Sequence, residues 1–334
     1  MPRLLALLFA CLLLVGPAPA EAAPRRQKVR VLCWNVWGLP WGLSKQREER
    51  IPAIGARLAE LKLDLVLLQE VWVPEDGVAL GKALAAAGLT HQVHESEGFL
   101  GSGLLVASRW PISGSEFTPF ELTGKLHKPW NGDAWARKGY LELQLDTPLG
   151  RLSVVDTHLH ASYDGREYEA VQTAQALQLS SALGDLGARP PPQRDDAARP
   201  PLLLAGDLNV ELGTLPFELL RRRCDLRPGR ATLGGIDWVL LRDGGGLSWK
   251  VKKVEHALTE EVELPGGARP LSDHPAVLAE LELQRAAPAR WQPQQRQREW
   301  LSVVREAHPW LVAKRDEAGV LSGRWTRRAI FLLL

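Results

Sequence analysis

Three stretches of this chain place groups that can do chemistry at the end of, or just before, apolar runs: Leu68-Gln69-Glu70, Gly206-Asp207-Leu208-Asn209 and Ser272-Asp273-His274. An apolar run that reads as a strand and stops at a polar group delivers that group to a sheet edge. Carboxylates, an amide and an imidazole gathered on one edge can hold a hard divalent cation and activate water beside it. Glu70 is costly after the largely apolar run Leu63 to Gln69 unless it meets a cation, a salt-bridge partner or hydrogen-bond donors. Asn35 closes an earlier strand and joins Glu70 if the two strands are neighbours; otherwise it is a turn residue. Asp207 and Asn209 are two apart, so on a strand they project to one side. An acceptor and an amide so placed can orient a water and contact a phosphoryl oxygen. His274 is a candidate general base, because an imidazole titrates near neutrality. Asp237, in Ile236-Asp237-Trp238, can orient it, which leaves Asp273 nearer the metal side. In Thr157-His158-Leu159-His160, His158 can donate to a phosphate oxygen, and His160 either supports it or faces solvent.

The elements that must position these groups follow from periodicity. Val29 to Asn35, Leu63 to Gln69, Gly103 to Ser108, Gly139 to Leu145, Arg151 to His158, Leu202 to Ala205, Ile236 to Leu241, Trp249 to His256 and Ala276 to Leu283 read as strands. Thr147-Pro148-Leu149-Gly150 reads as a turn between two of them. Ile51, Ile54, Leu58 and Leu61 recur at helical spacing, with Pro52 near the start. Val78 to Ala87 and Glu167 to Leu183 are further helices. Arg189 to Pro201 is a Pro-rich surface loop. Many strands with a few helices and no internal repeat predict two packed sheets covered by helices, in one α+β domain over residues 27–285.

Composition narrows the function. The 334 residues carry a net charge of only +2, and residues 286–334 hold nine Lys/Arg against four Asp/Glu, a net of +5. The rest of the chain is therefore −3, which disfavours a nucleic-acid binder. The tail's Trp291, Trp300, Trp310 and Trp325, with its basic residues, suit either an anionic membrane surface or a helix docked on the domain. Arg3, the apolar stretch Leu4 to Val15 and small residues before position 24 predict a signal peptide over residues 1–23, hence secretion, or a periplasmic location. Cys33 and Cys224 can pair after export or remain buried thiols. There is no phosphate loop and no Gly-x-Ser-x-Gly elbow.

Six motifs in order, Trp34-Asn35-Val36-Trp37, Leu68 to Trp72, Thr157 to Ala161, Gly206 to Asn209, Ile236 to Trp238 and Ser272 to His274, resemble those of the endonuclease/exonuclease/phosphatase superfamily. Within it, Asn35-Val-Trp-Gly-Leu-Pro40, Ser44-Lys-Gln-Arg47 and Thr157-His-Leu-His-Ala161 are similar to the neutral sphingomyelinases, and an exported chain looks most like the bacterial ones. Gly132-Asp133 and Lys138-Gly139 match the spacing of an Asp and a Lys that couple a loop to the active site in some of those enzymes. The resemblance implies a four-layer αββα sandwich of the DNase I type, with two central mixed sheets flanked by helices. It implies Mg²⁺, with Mn²⁺ as the alternative, and hydrolysis of sphingomyelin to ceramide and phosphocholine by in-line attack of water. Glu70, Asn35 and Asp273 then form the metal group; His274, Asp237, Asp207, Asn209, His158 and Lys138 form the catalytic group. Trp37, Trp41, Trp130 and Trp135 lie in loops beside the motifs and suit insertion at a lipid surface or packing under the loops. A monomer acting on membrane sphingomyelin without nucleic acid is expected; the rivals are a secreted nuclease, a phospholipase C on other choline lipids and a catalytically silent membrane-binding protein.

Overall fold

The computed structural model describes residues 25–40, 42–96, 101–122, 137–162, 168–184, 200–230 and 235–286, with 298, 301–303 and 305 of the tail. Residues 1–24, on which the expected signal peptide falls, and Trp41, Trp130, Asp133, Trp135 and the remaining tail lie outside the described residues.

Two six-stranded sheets stack face to face. The first has the order β11(Leu247–Ala257)-β14(Ala276–Arg285)-β1(Arg26–Asn35)-β2(Leu65–Gln69)-β4(Leu104–Ser108)-β3(His91–Glu95). The second runs β5(Ile112–Pro119)-β6(Gly139–Thr147)-β7(Gly150–His158)-β8(Leu202–Asp207)-β10(Asp237–Arg242)-β9(Arg227–Pro228). Each is mixed: β1 runs parallel to β2, β7 runs parallel to β8, and the other pairs are antiparallel. A separate hairpin pairs β12(Glu261–Leu264) with β13(Gly267–Pro270).

Among the described residues, four helices cover the outer faces. Helix α1(Arg47–Glu60) and helix α2(Pro74–Ala86) lie on the first sheet; α3(Glu169–Leu183) and α4(Leu215–Cys224) lie on the second. Leu65, Leu67, Val154, Leu203 and Ala279 belong to the core between the sheets. Leu32, Val66 and Leu68 turn the other way, onto Ile54, Leu58, Leu80 and Leu84 of the helices. The four-layer α+β sandwich expected from the motifs is therefore the fold. β2 is buried at all five residues because both of its faces are covered, which is why its sequence reads as an apolar run without alternation.

The differences from expectation have physical causes. Helix α1 begins at Arg47, well before its apolar stripe, with Glu48 and Glu49 in the favourable first turn; Pro52 sits inside it. Strands β3 and β5 and helix α4 were missed. β3 is only half-buried throughout, β5 is largely exposed and β-bulged, and α4 carries Arg221-Arg222-Arg223 in its last turn, so none shows a clean apolar period. Cys33 and Cys224 are buried free thiols, one between the sheets and the other under the second helical layer, so the pairing alternative falls. In the tail, Val303 is buried and Ser302 accepts a hydrogen bond from Arg222 of α4 (3.3 Å), so this segment docks on the domain.

Candidate active site

β1, β2, β7, β8 and β10 all end at one edge of the sandwich, and five of the anticipated residues stand at or just beyond those ends. The register makes this inevitable. Asn35 lies beside Gln69 across β1–β2; His158 lies beside Asp207 across β7–β8; Asp207 faces Asp237 across β8–β10. Gly206 is needed because β7 passes so close that an added Cβ would lie 1.9 Å from the Thr157 carbonyl oxygen. Gly38 is needed because a Cβ there would lie 2.2 Å from the Glu70 carbonyl oxygen.

Asp237 Oδ2 accepts a hydrogen bond from His274 Nδ1 at 2.8 Å, so the orienting pair expected from the sequence is formed. The opposite ring nitrogen, Nε2, lies 3.9 Å from Asp207 Oδ2, too far for a direct bond and close enough for both to meet one small ligand. Burial disfavours the imidazolium, but the Asp237 hydrogen bond and charge, with Asp207 and Asp273 beyond, outweigh it and raise the His274 pKa to about 9. Asp207 is buried beside Asp237, and burial followed by that charge raises its pKa to about 7.

Asn35 binds these elements together. Its Nδ2 donates to Asp207 Oδ2 at 3.0 Å, and its amide lowers the proton affinity of Glu70. Its Oδ1 accepts from the Trp37 backbone N–H at 3.0 Å. Glu70 takes a left-handed backbone (φ 62°), and its Oε2 is buried with no hydrogen-bond partner among the described residues. Burial raises the Glu70 pKa, opposed by Lys138 and Asn35; the exposed Asp273 carboxylate adds to the rise here and at His274 alike. His158 Nε2 meets Lys138 Nζ at 2.9 Å and Asp207 Oδ2 at 3.3 Å; burial and the Lys138 charge hold this imidazole neutral.

Two expectations of geometry are corrected. Asp207 and Asn209 are not successive outward residues of one strand. β8 stops at Asp207, Asn209 takes φ 52°, and its backbone N–H donates to Asp207 Oδ1 at 3.0 Å, an Asx-type turn. Asn209 Nδ2 donates to the Leu159 carbonyl at 3.0 Å. His160 does not face solvent: it is buried and stacked on Tyr168 with ring centroids 4.2 Å apart. Trp37 is half-buried under the Arg50 guanidinium, 4.7 Å from its ring centroid, which favours packing over lipid insertion for this one residue.

Two glutamines outside the expected site residues support it from α3. Gln172 Nε2 of α3 donates to the carbonyls of His160 and Asn209, both at 2.9 Å, and Gln175 Oε1 accepts from the His160 N–H at 2.8 Å. The available signal was two glutamines three apart on one face of an Ala/Leu-rich helix. Gln69 Nε2 donates to Asp156 Oδ1 at 2.7 Å between the sheets; burial pushes the Asp156 carboxyl well up.

Ligand atoms of Asp207, Asp237 and His274 lie within 4.8 Å of one another, which makes a possible divalent-metal site. Together, two packed mixed sheets and a carboxylate–imidazole cluster at their common edge define the class of the fold. The chain belongs to the Endonuclease/Exonuclease/phosphatase family, whose profile matches residues 32–274. It is 30% identical over 292 residues to a Drosophila melanogaster protein bearing the name of a neutral sphingomyelinase, covering 80% of this chain and 63% of the relative. It is 34% identical over 203 residues to inositol phosphosphingolipids phospholipase C of Schizosaccharomyces pombe, covering 60% of this chain and 45% of that protein. The chain thus spans only part of these relatives. Sphingomyelinase C from Streptomyces griseocarneus shares the fold, with TM-score 0.57 and 23% identity over 76% of this chain and 99% of the other. The resemblance to neutral sphingomyelinases drawn from the motifs is borne out.

Proposed function

We propose that this protein is a divalent-metal-dependent sphingolipid phosphodiesterase that hydrolyses sphingomyelin to ceramide and phosphocholine. The observation that carries the reading is the Asp237–His274–Asp207 arrangement beside Glu70, on a chain similar to a sphingomyelinase-named relative. Glu70 fits a hard cation because its buried Oε2 lacks any other partner among the described residues. In this reading Glu70, with Asn35 and Asp273, would hold Mg²⁺. Asp207, Asp237 and His274 then serve the water, because Asp237 holds His274 Nδ1 and leaves Nε2, beside Asp207, to face it. When bound, Mg²⁺ supplies Lewis-acid polarisation of the phosphoryl group.

The side chains do the rest. Asp237 fixes the His274 ring, so that Nε2 takes the proton of the attacking water. Asp207 positions that water in line with the ceramide oxygen. Lys138, His158 and the second amide hydrogen of Asn209 offset the charge that grows on the non-bridging oxygens. Residues 1–23 would export the chain, which then works as a monomer at a lipid surface, with Trp41, Trp130, Trp135 and the basic residues of the tail beyond the docked segment as contacts. A second reading, cleavage of an inositol-bearing phosphosphingolipid, is favoured by the similarity to the fission-yeast protein.

Hydrolysis in heavy-oxygen water tests the chemistry. Attack at phosphorus places the label in phosphocholine; label in the ceramide hydroxyl would overturn it.

A further inference from the structure

Arg50, the last residue of the Ser44-Lys-Gln-Arg-Glu-Glu-Arg50 stretch, is fully buried, although it is a guanidinium in the second turn of α1's exposed end. Among the described residues its hydrogen bonds go to backbone carbonyls alone. Nε donates to Lys45 O (2.9 Å), Nη1 to Val36 O (2.9 Å) and Leu271 O (2.7 Å), and Nη2 to Trp37 O (2.7 Å). A buried guanidinium is tolerated only when its donors are so satisfied, and its planar fork fixes several acceptors at once where an ammonium cannot.

The acceptors belong to two segments far apart in sequence. Val36 and Trp37 follow Asn35; Leu271 precedes Ser272, Asp273 and His274. Trp37 holds a left-handed backbone (φ 51°) that a large side chain resists, and its carbonyl and ring both engage Arg50. Two further bonds cross the same seam: Ser272 Oγ donates to Asn35 O at 2.6 Å, and Trp34 Nε1 donates to His274 O at 2.8 Å. We infer that Arg50 is a positioning residue that clamps the Asn35–Trp37 segment to the Leu271–His274 segment, setting the distance between the Glu70 side of the site and the His274 imidazole. Arg50 touches no reacting atom in this scheme. The inference rests on the phosphodiesterase reading only for its kinetic consequence.

Arg50→Lys keeps the charge and loses the fork. In the folded variant, kcat on sphingomyelin should fall on the order of a hundredfold with KM within about twofold of wild type, as for a small misplacement of catalytic groups. Amide hydrogen exchange of the metal-free protein should accelerate at both Trp37 and His274, while the β6–β7 ladder is unchanged. Acceleration confined to the Trp37 segment, or wild-type kcat, would overturn the clamp. Should the variant fail to fold, the wild-type protein decides: under mild denaturant the two segments must open as one unit, with the same opening free energy and the same denaturant dependence. Separate opening would sink the clamp. If wild type hydrolyses no sphingolipid, the functional reading fails while the exchange result still judges the clamp.

Discussion

His274 sits among three carboxylates, and that crowd sets its proton affinity. With the pKa raised to about 9, the imidazole of the metal-free protein carries its proton at neutral pH and is not yet a base. A divalent cation on the Glu70 side repels the imidazolium, so adding Mg²⁺ should move the His274 titration downward when followed by NMR. An unchanged titration would remove the cation from this neighbourhood. His274→Ala should lose activity on the order of a thousandfold or more with an unchanged circular dichroism spectrum. Asp207 gives the opposite sign in stability. Its folded pKa, raised to about 7, lies above the ordinary carboxylate value, so its ionisation disfavours the folded state, with no cost below about pH 4 and the full cost above pH 7. Metal-free Asp207→Asn should therefore melt a few degrees above wild type at pH 8, and gain nothing at pH 4, while losing hydrolysis. Most of these groups were legible because each stands at the end of, or just before, an apolar run. Arg50, Gln172 and Gln175 were not, because their function is to satisfy backbone carbonyls and amides that only the folded loops bring near.

At the scale of elements, strand register does the assembly. Parallel pairing of β1 with β2 and of β7 with β8 puts consecutive motifs at the same edge, and β10 returns antiparallel so that its first residue, Asp237, lies there too. Gly206→Ala tests this joint. A Cβ would press on the Thr157 carbonyl in a strand pair with no room to part, so denaturant unfolding should show a loss of about 2 kcal/mol or more. The buried, fully covered strands were legible from their apolar runs. The half-exposed β3, the bulged β5 and the Arg-rich α4 were hidden because tertiary packing, not local pattern, holds them. The turn at Asp207–Asn209 differs from expectation because a period of two does not continue past the strand's end at Asp207.

At the scale of the molecule, the six motifs occur in chain order and their residues meet at one edge, although Asn35 and His274 stand at opposite ends of the domain sequence. No helix among the described residues is long and apolar enough to cross a membrane. The four-layer architecture could be read from the motif order, whereas the chemistry of the lipid cannot, because the Trp-bearing loops that would select it leave no periodic trace. Charge separates the main rivals. A chain whose basic excess lies wholly in residues 286–334 should show little salt dependence in cleavage once that tail is removed, where a nuclease's binding would fall steeply with salt. The most direct measurement offers the purified protein sphingomyelin vesicles, phosphatidylcholine vesicles and DNA in parallel, each with Mg²⁺ and with chelator. The account predicts phosphocholine release from sphingomyelin with Mg²⁺ and none with chelator. DNA cleavage without lipid cleavage, or lipid cleavage undiminished by chelator, would contradict it.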